Sequence, residues 1–142
     1  KNDVERLREI VSTLTESKMR VSAFVDADND QIDAVLQAGF TVCEIHTGSY
    51  AESFIENDFS LTHPNVEQER DKIQLAVQYA IDIGLQCNAG HGLTHRNVSA
   101  IASIPNITEL HIGHSVISRS VFVGIRTAVQ EMKQLIKDSL HD

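Results

Sequence analysis

Leu85-Gln86-Cys87-Asn88-Ala89-Gly90-His91-Gly92-Leu93-Thr94-His95 is a short apolar run that stops in a Gly-His-Gly turn and passes into residues of helical character. Two further stretches share the design: Val42-Cys43-Glu44-Ile45-His46-Thr47-Gly48 upstream, and His111-Ile112-Gly113-His114 downstream. In each, polar chemistry gathers at the carboxyl end of a strand-like segment, which is where parallel α/β folds build their active sites. The repetition predicts a parallel sheet whose strands alternate with crossover helices.

Working outward, Val4, Leu7, Val11 and Leu14 recur at spacings of three and four, so Asp3 to Ser17 reads as an amphipathic helix capped by Asn2 or Asp3. Val21 to Val25 is the first strand, and Asp28 caps a helix that runs through Leu36 and stops at Gly39. Thr41 to Ile45 is the second strand. Thr47 to Val66, with Gly48, Ser49, Asn57, Asp58, Ser60, Pro64 and Asn65, reads as a long irregular stretch with room for a helical turn at Ala51 to Ile55. Glu67 to Ile83 is the next helix, closed by Gly84, and Leu85 to Ala89 the third strand. Thr94 to Ile104 is then a helix ended by Pro105, and Thr108 to Ile112 the fourth strand. Arg119 to Leu140 closes the chain as one long helix.

The order is a helix followed by four βα units, each about 30 residues, half of the roughly 250 residues of a (β/α)8 barrel. The first helix has no strand before it, and the chain opens on Lys1 rather than Met. The expectation is therefore one structural unit over residues 1–142, the carboxyl half of a TIM barrel preceded by one helix. A small open sheet of the flavodoxin type has the same periodicity.

Composition narrows the function classes. A net charge of −8 disfavours a nucleic-acid or acidic-membrane footprint, which needs clustered Lys and Arg. Any bound anion must be met locally, with Arg96 and Arg119 the nearest cations in sequence. No apolar run approaches the roughly 20 residues that span a bilayer, and Lys1-Asn2-Asp3-Val4-Glu5-Arg6 lacks the apolar core of a signal peptide. Cys43 and Cys87 lie in apolar strands without metal-ligand spacing, as expected for reduced, packed thiols in a cytoplasmic protein.

Side chains alternate along a strand, so Glu44 and His46 share one face while Cys43 and Ile45 share the other. A carboxylate inside an apolar strand needs a partner, because burying it alone is costly. Glu44 is read as an electrostatic or acid–base group, against the plainer alternative of a structural ion pair with a neighbouring strand. His91 lies between two glycines that permit close approach of a ligand, and Gly92 is expected to lead into a helix N-terminus whose free amides favour phosphate. An imidazole there suits proton transfer at neutral pH; the plainer reading is a tight turn capped by His91. Gly113 and His114 form a second such turn, a second wall for the same anion.

Other readings are weaker. His91 and His95 are four apart, but no HExxH motif or cysteine cluster supports a metal, and none is expected. Gly90-x-Gly92-x-x-His95 lacks the third glycine of a dinucleotide fingerprint. Asp26 and Asp28 form an acid pair in sequence, although Asp28 is better read as a helix cap. His63, His111 and His141 read as loop, strand and tail residues with no supporting constellation.

Phe24-Val25-Asp26-Ala27-Asp28, Glu44-Ile45-His46-Thr47-Gly48-Ser49-Tyr50-Ala51, Asn88-Ala89-Gly90-His91-Gly92-Leu93-Thr94 and Ile112-Gly113-His114-Ser115-Val116-Ile117 together resemble the carboxyl half of the pyridoxine 5'-phosphate synthase family. The likeness runs in order over nearly the whole chain, and Glu52 to Asn65 match least well. The resemblance implies a (β/α)8 barrel that condenses 1-deoxy-D-xylulose 5-phosphate with 3-amino-2-oxopropyl phosphate, giving pyridoxine 5'-phosphate, phosphate and water, in vitamin B6 synthesis. It implies no metal or organic cofactor, and a homo-oligomer, typically an octamer. By motif, His91 matches the family's proton donor and Glu44 its transition-state-stabilising carboxylate, while Gly92, Gly113 and His114 match positions that bind the aminooxopropyl phosphate. The remaining acid–base groups belong to the amino half, so this chain alone is expected to be inactive. A non-catalytic phosphate-binding module of flavodoxin type, or another phosphosugar-processing barrel, are the alternatives; an aldolase would want a Schiff-base lysine at a strand end, and no strand here ends in Lys.

Overall fold

A computed structural model describes residues 2–140. The elements are α1 (Asn2–Glu16), β1 (Ser22–Val25), α2 (Asn29–Gln37), β2 (Val42–His46), α3 (Gly48–Glu56), α4 (Pro64–Asp82), β3 (Gln86–Gly90), α5 (Val98–Ala102), β4 (Ile107–His111), α6 (His114–Val123) and α7 (Ile125–Asp138). All strand pairs are parallel and the sheet order is β1-β2-β3-β4. Sequential order with right-handed crossovers sends the helices to one side of the sheet. Cys43, Ile45, Cys87 and Ala89 accordingly point into a core shared with Ile32 and Val35 of α2, Tyr50 and Phe54 of α3, and Ile73, Val77 and Ala80 of α4.

The opposite face carries Ser22, Phe24, Glu44, His46, Asn88, Glu109 and His111, with Phe24 55% exposed. A doubly wound sheet of the flavodoxin type changes direction partway and is covered on both faces. This one is singly wound, the arrangement of half a (β/α)8 barrel, whose polar inner face and two outer strand edges are open.

Three expectations need correction. The stretch from Thr47 to Val66 is mostly helical: α3 starts at Gly48, because Tyr50, Ala51 and Phe54 bury one face of it, and only residues 57–63 remain a loop. Asp58 and Phe59, at φ 55° and 58°, turn the chain out of α3. His63 then caps α4, accepting from Asn65 N at 3.3 Å, with Pro64 at the first helical position. The closing helix is two, divided at Gly124 (φ 82°, ψ 150°), a conformation open to glycine and closed to most other residues. The bend returns Ala128 and Met132 onto Val98 and Val116 as a second small core.

The helix expected over Thr94 to Ile104 is only Val98–Ala102. Buried Asn97 holds the preceding residues as a loop: its Oδ1 accepts from Thr94 N at 2.7 Å and its Nδ2 donates to Gly92 O at 3.2 Å. Gly92 therefore lies in a side-chain-braced loop and not at a helix N-terminus. The cap expected at Asn2 or Asp3 has its flanking residue, Lys1, outside the described residues, as is His141.

Candidate active site

Glu44, His91, Gly92, Gly113 and His114 line one cleft of about 610 Å³ at the carboxyl ends of β2, β3 and β4. Phe24, Leu93, Thr94, His111, Ile112 and Ser115 complete its wall. The turn after β3 is built around His91, which itself takes the left-handed backbone (φ 83°) beside Gly92 (φ 71°). Histidine tolerates this region better than most non-glycine residues. Thr47 fastens the turn to β2: its amide and hydroxyl both donate to Gly90 O at 2.8 Å, with His91 O at 2.5 Å from the same hydroxyl. Gly92 is required for packing, since a Cβ would lie 2.5 Å from Ala51 Cβ.

The turn after β4 has a different basis. Gly113 caps α6 at φ −116°, and a Cβ there would meet nothing within 4 Å. Its backbone is open to any residue, so glycine matters here only for access to the cleft. The first amides of α6, from His114 onward, are unpaired within the helix and give the cleft an anion-attracting wall. Ser115 Oγ donates to Leu93 O at 2.7 Å, tying the two glycine turns together. Neither expected cation lines the cleft: Arg96 stacks over Phe59 at 3.9 Å, and Arg119 makes a bidentate pair with Glu131 at 2.8 and 3.0 Å. With no Lys or Arg in the cleft wall, an anion here would rest on backbone amides and on the imidazoles that line it.

Glu44 reaches His111, whose Nδ1 donates to Glu44 Oε2 at 2.6 Å, while Nε2 lies 3.3 Å from Glu109 Oε2. The Glu44 bond, helped by the Glu109 contact, holds the His111 imidazolium above its ordinary pKa of 6.5 against the opposing cost of burial. His111 is the residue that reading the sequence passed over. Its signal was present: Glu109 and His111 share a strand face in the manner of Glu44 and His46.

His46 donates from Nδ1 to Asp26 Oδ1 at 3.2 Å, and its ring centre lies 4.7 Å from that of His91 and 5.0 Å from that of Phe24. Gly48 makes room, since a Cβ there would sit 2.6 Å from the His46 ring. Asp28 is a helix cap, accepting from Gln31 N at 2.9 Å, so the acid pair divides into two roles. His95 does not join His91: its Nε2 is buried without a hydrogen-bond partner among the described residues, 4.0 Å from Glu131 Oε2. Among the described residues, no three His, Cys, Asp or Glu side chains converge as a metal site. Cys43 and Cys87 are free and buried, their sulfurs 3.9 Å apart across paired strands, and the Cys43 contact, followed by burial, pushes the Cys87 thiol up.

The family model for "Pyridoxal phosphate biosynthesis protein PdxJ" matches residues 1–138. A pyridoxine 5'-phosphate synthase of Azoarcus sp. (strain BH72) is 45% identical over 134 residues, which are 94% of this chain and 54% of that protein. The protein of the same name from Prochlorococcus marinus subsp. pastoris is 46% identical over 136 residues, 96% of this chain and 54% of that protein. That from Blochmanniella pennsylvanica is 44% identical over 138 residues, again 54% of the longer protein. The chain thus spans about half the length of the curated relatives it matches, as four of eight βα units would. On the family model and these relatives, the chain belongs to the PdxJ family of pyridoxal phosphate biosynthesis proteins.

Proposed function

We propose that the barrel to which this chain contributes is a pyridoxine 5'-phosphate synthase, joining 1-deoxy-D-xylulose 5-phosphate to 3-amino-2-oxopropyl phosphate. The observation that carries the reading is the convergence of Glu44, His91 and the Gly113-His114 helix start on one cleft. The α6 amides would hold the aminooxopropyl phosphate, with Gly92 and Gly113 leaving room for it. His91 donates a proton to a leaving oxygen, and the Glu44 carboxylate stabilises positive charge as the amine adds to a carbonyl and water departs. No metal or organic cofactor takes part. The four strands leave the barrel unclosed, so an amino half completes both the fold and the set of acid–base groups, and the closed barrels associate as a homo-oligomer, an octamer by family likeness. A cytoplasmic setting belongs to the same reading; no helix among the described residues is long and apolar enough to cross a membrane.

The test is product formation by the chain combined with its amino half. Pyridoxine 5'-phosphate should form with both halves and with neither alone. In that enzyme His91→Asn should lower kcat by roughly two to four orders of magnitude with little change in folding, since Asn also accepts a positive φ. Undiminished turnover in His91→Asn would remove the proton-donor role.

A further inference from the structure

β2 and β4 are not neighbours, yet Glu44 and His111 are bonded across β3. Gly90 is what permits it. In the sheet register Gly90 lies between His46 on one side and His111 on the other. A Cβ on Gly90 would collide with Glu44 Oε1 and sit 3.1 Å from His111 Cβ, so the missing side chain is the channel through which the carboxylate crosses. The Glu44 side chain is only 19% exposed, and it shares the cleft with His91.

The surroundings of His111 are unusual for an imidazole. Two carboxylates flank one ring, Glu44 on Nδ1 and Glu109 on Nε2, and a neutral imidazole has one N–H to offer. Only the doubly protonated ring satisfies both. Glu109 is itself shared with Arg20, 3.7 Å away, which also bonds Gln86. The other titratable groups near this face are His91 and His114 in the cleft wall and the His46–Asp26 pair beyond β2.

We propose that His111 is a positioning residue for Glu44, fixing one carboxylate oxygen and, by holding or releasing its own proton, setting whether the pair meets the substrate as a neutral or an anionic unit. This rests on the synthase reading of the cleft. With His111 charged, the field of Glu44 is spent on its partner 2.6 Å away. Loss of that proton returns a full negative charge to the cleft, where the reaction develops positive charge on nitrogen. The competent state is thus the one with His111 neutral.

Both measurements use the barrel assembled from the two halves. The wild-type kcat should rise with pH along a limb governed by His111. His111→Asn, whose Nδ2 takes the place of Nδ1 and still donates to Glu44, should keep kcat at high pH and lose that limb. His111→Ala, which leaves Glu44 without a donor, should lower kcat about ten- to a hundredfold at every pH, with KM little changed. In parallel, NMR of histidine-labelled protein should find the His111 pKa lowered in Glu44→Gln, since the carboxylate that favours its charged form is gone. A barrel that forms no product overturns the synthase reading. A productive barrel whose His111→Asn variant keeps the same limb, or a His111 titration unmoved by Glu44→Gln, overturns the role of His111 alone.

Discussion

Tyr50 donates its hydroxyl to Asn97 O at 2.8 Å, and both residues are buried. The bond joins α3, which follows β2, to the loop that follows β3. Asn97 in turn holds Gly92 and Thr94, so the position of His91 is referred back to the helix beside Glu44. Burial pushes the Tyr50 hydroxyl up to about 12, keeping it a donor throughout the physiological range.

Tyr50→Phe should therefore act on both stability and chemistry. It leaves the Asn97 carbonyl buried without its partner, a loss of about 1–3 kcal/mol. Urea unfolding should report that loss, and turnover of the assembled enzyme should fall because the His91 loop is less firmly held. Unchanged values in both measurements would show that Asn97 is held by its side chain alone.

Gly92 and Gly113 should respond in opposite ways to a side chain. Gly92→Ala meets Ala51 and a φ of +71°, and should destabilise the fold by more than the roughly 1–2 kcal/mol of the backbone penalty alone. At Gly113 a Cβ meets no neighbour within 4 Å at an ordinary φ, so the melting temperature of Gly113→Val should change little. Affinity for aminooxopropyl phosphate, measured by calorimetry on the assembled enzyme, should fall strongly in Gly113→Val. Unaltered affinity there would move the anion site elsewhere.

The Glu44–His111 pair should leave a signature in stability against pH. The folded pKa of His111 lies above its ordinary 6.5, so the pair's contribution is complete below about pH 6.5 and is lost as the pH rises through the folded value. The melting temperature of His111→Ala should fall short of wild type most at acid pH, and the gap should close toward alkaline pH. At 43% exposure of the His111 side chain the effect is screened and modest. A gap that widens with pH would contradict the raised pKa.

The isolated chain should self-associate. Its sheet presents two outer edges and an uncovered face, and Ile117, Val121 and Phe122 on α6 are 60%, 78% and 83% exposed. Sedimentation should find oligomers or aggregates that give way to a defined complex when the amino half is added. A stable monomer indifferent to that half would argue against an unclosed barrel.

The sequence by itself determined the alternation of strand and helix, because residues that bury one face must recur at the period of their element, as Val42 to Ile45 and Ile73 to Ala80 do. It also placed Glu44, His91 and Gly113 at strand ends, since a polar cluster terminating an apolar run has few other places to go. What it left open were relations across the sheet. α3 was hidden because its polar residues face solvent while only Gly48, Tyr50, Ala51 and Phe54 are buried. Gly124 and Asn97 cut two helices that their periodicity would have continued, one by backbone conformation and one by side-chain bonds to residues three and five positions away. His111 gained its meaning only from tertiary structure: its partner lies 67 residues back, on a strand that is not its neighbour, and the contact exists because Gly90 between them has no side chain.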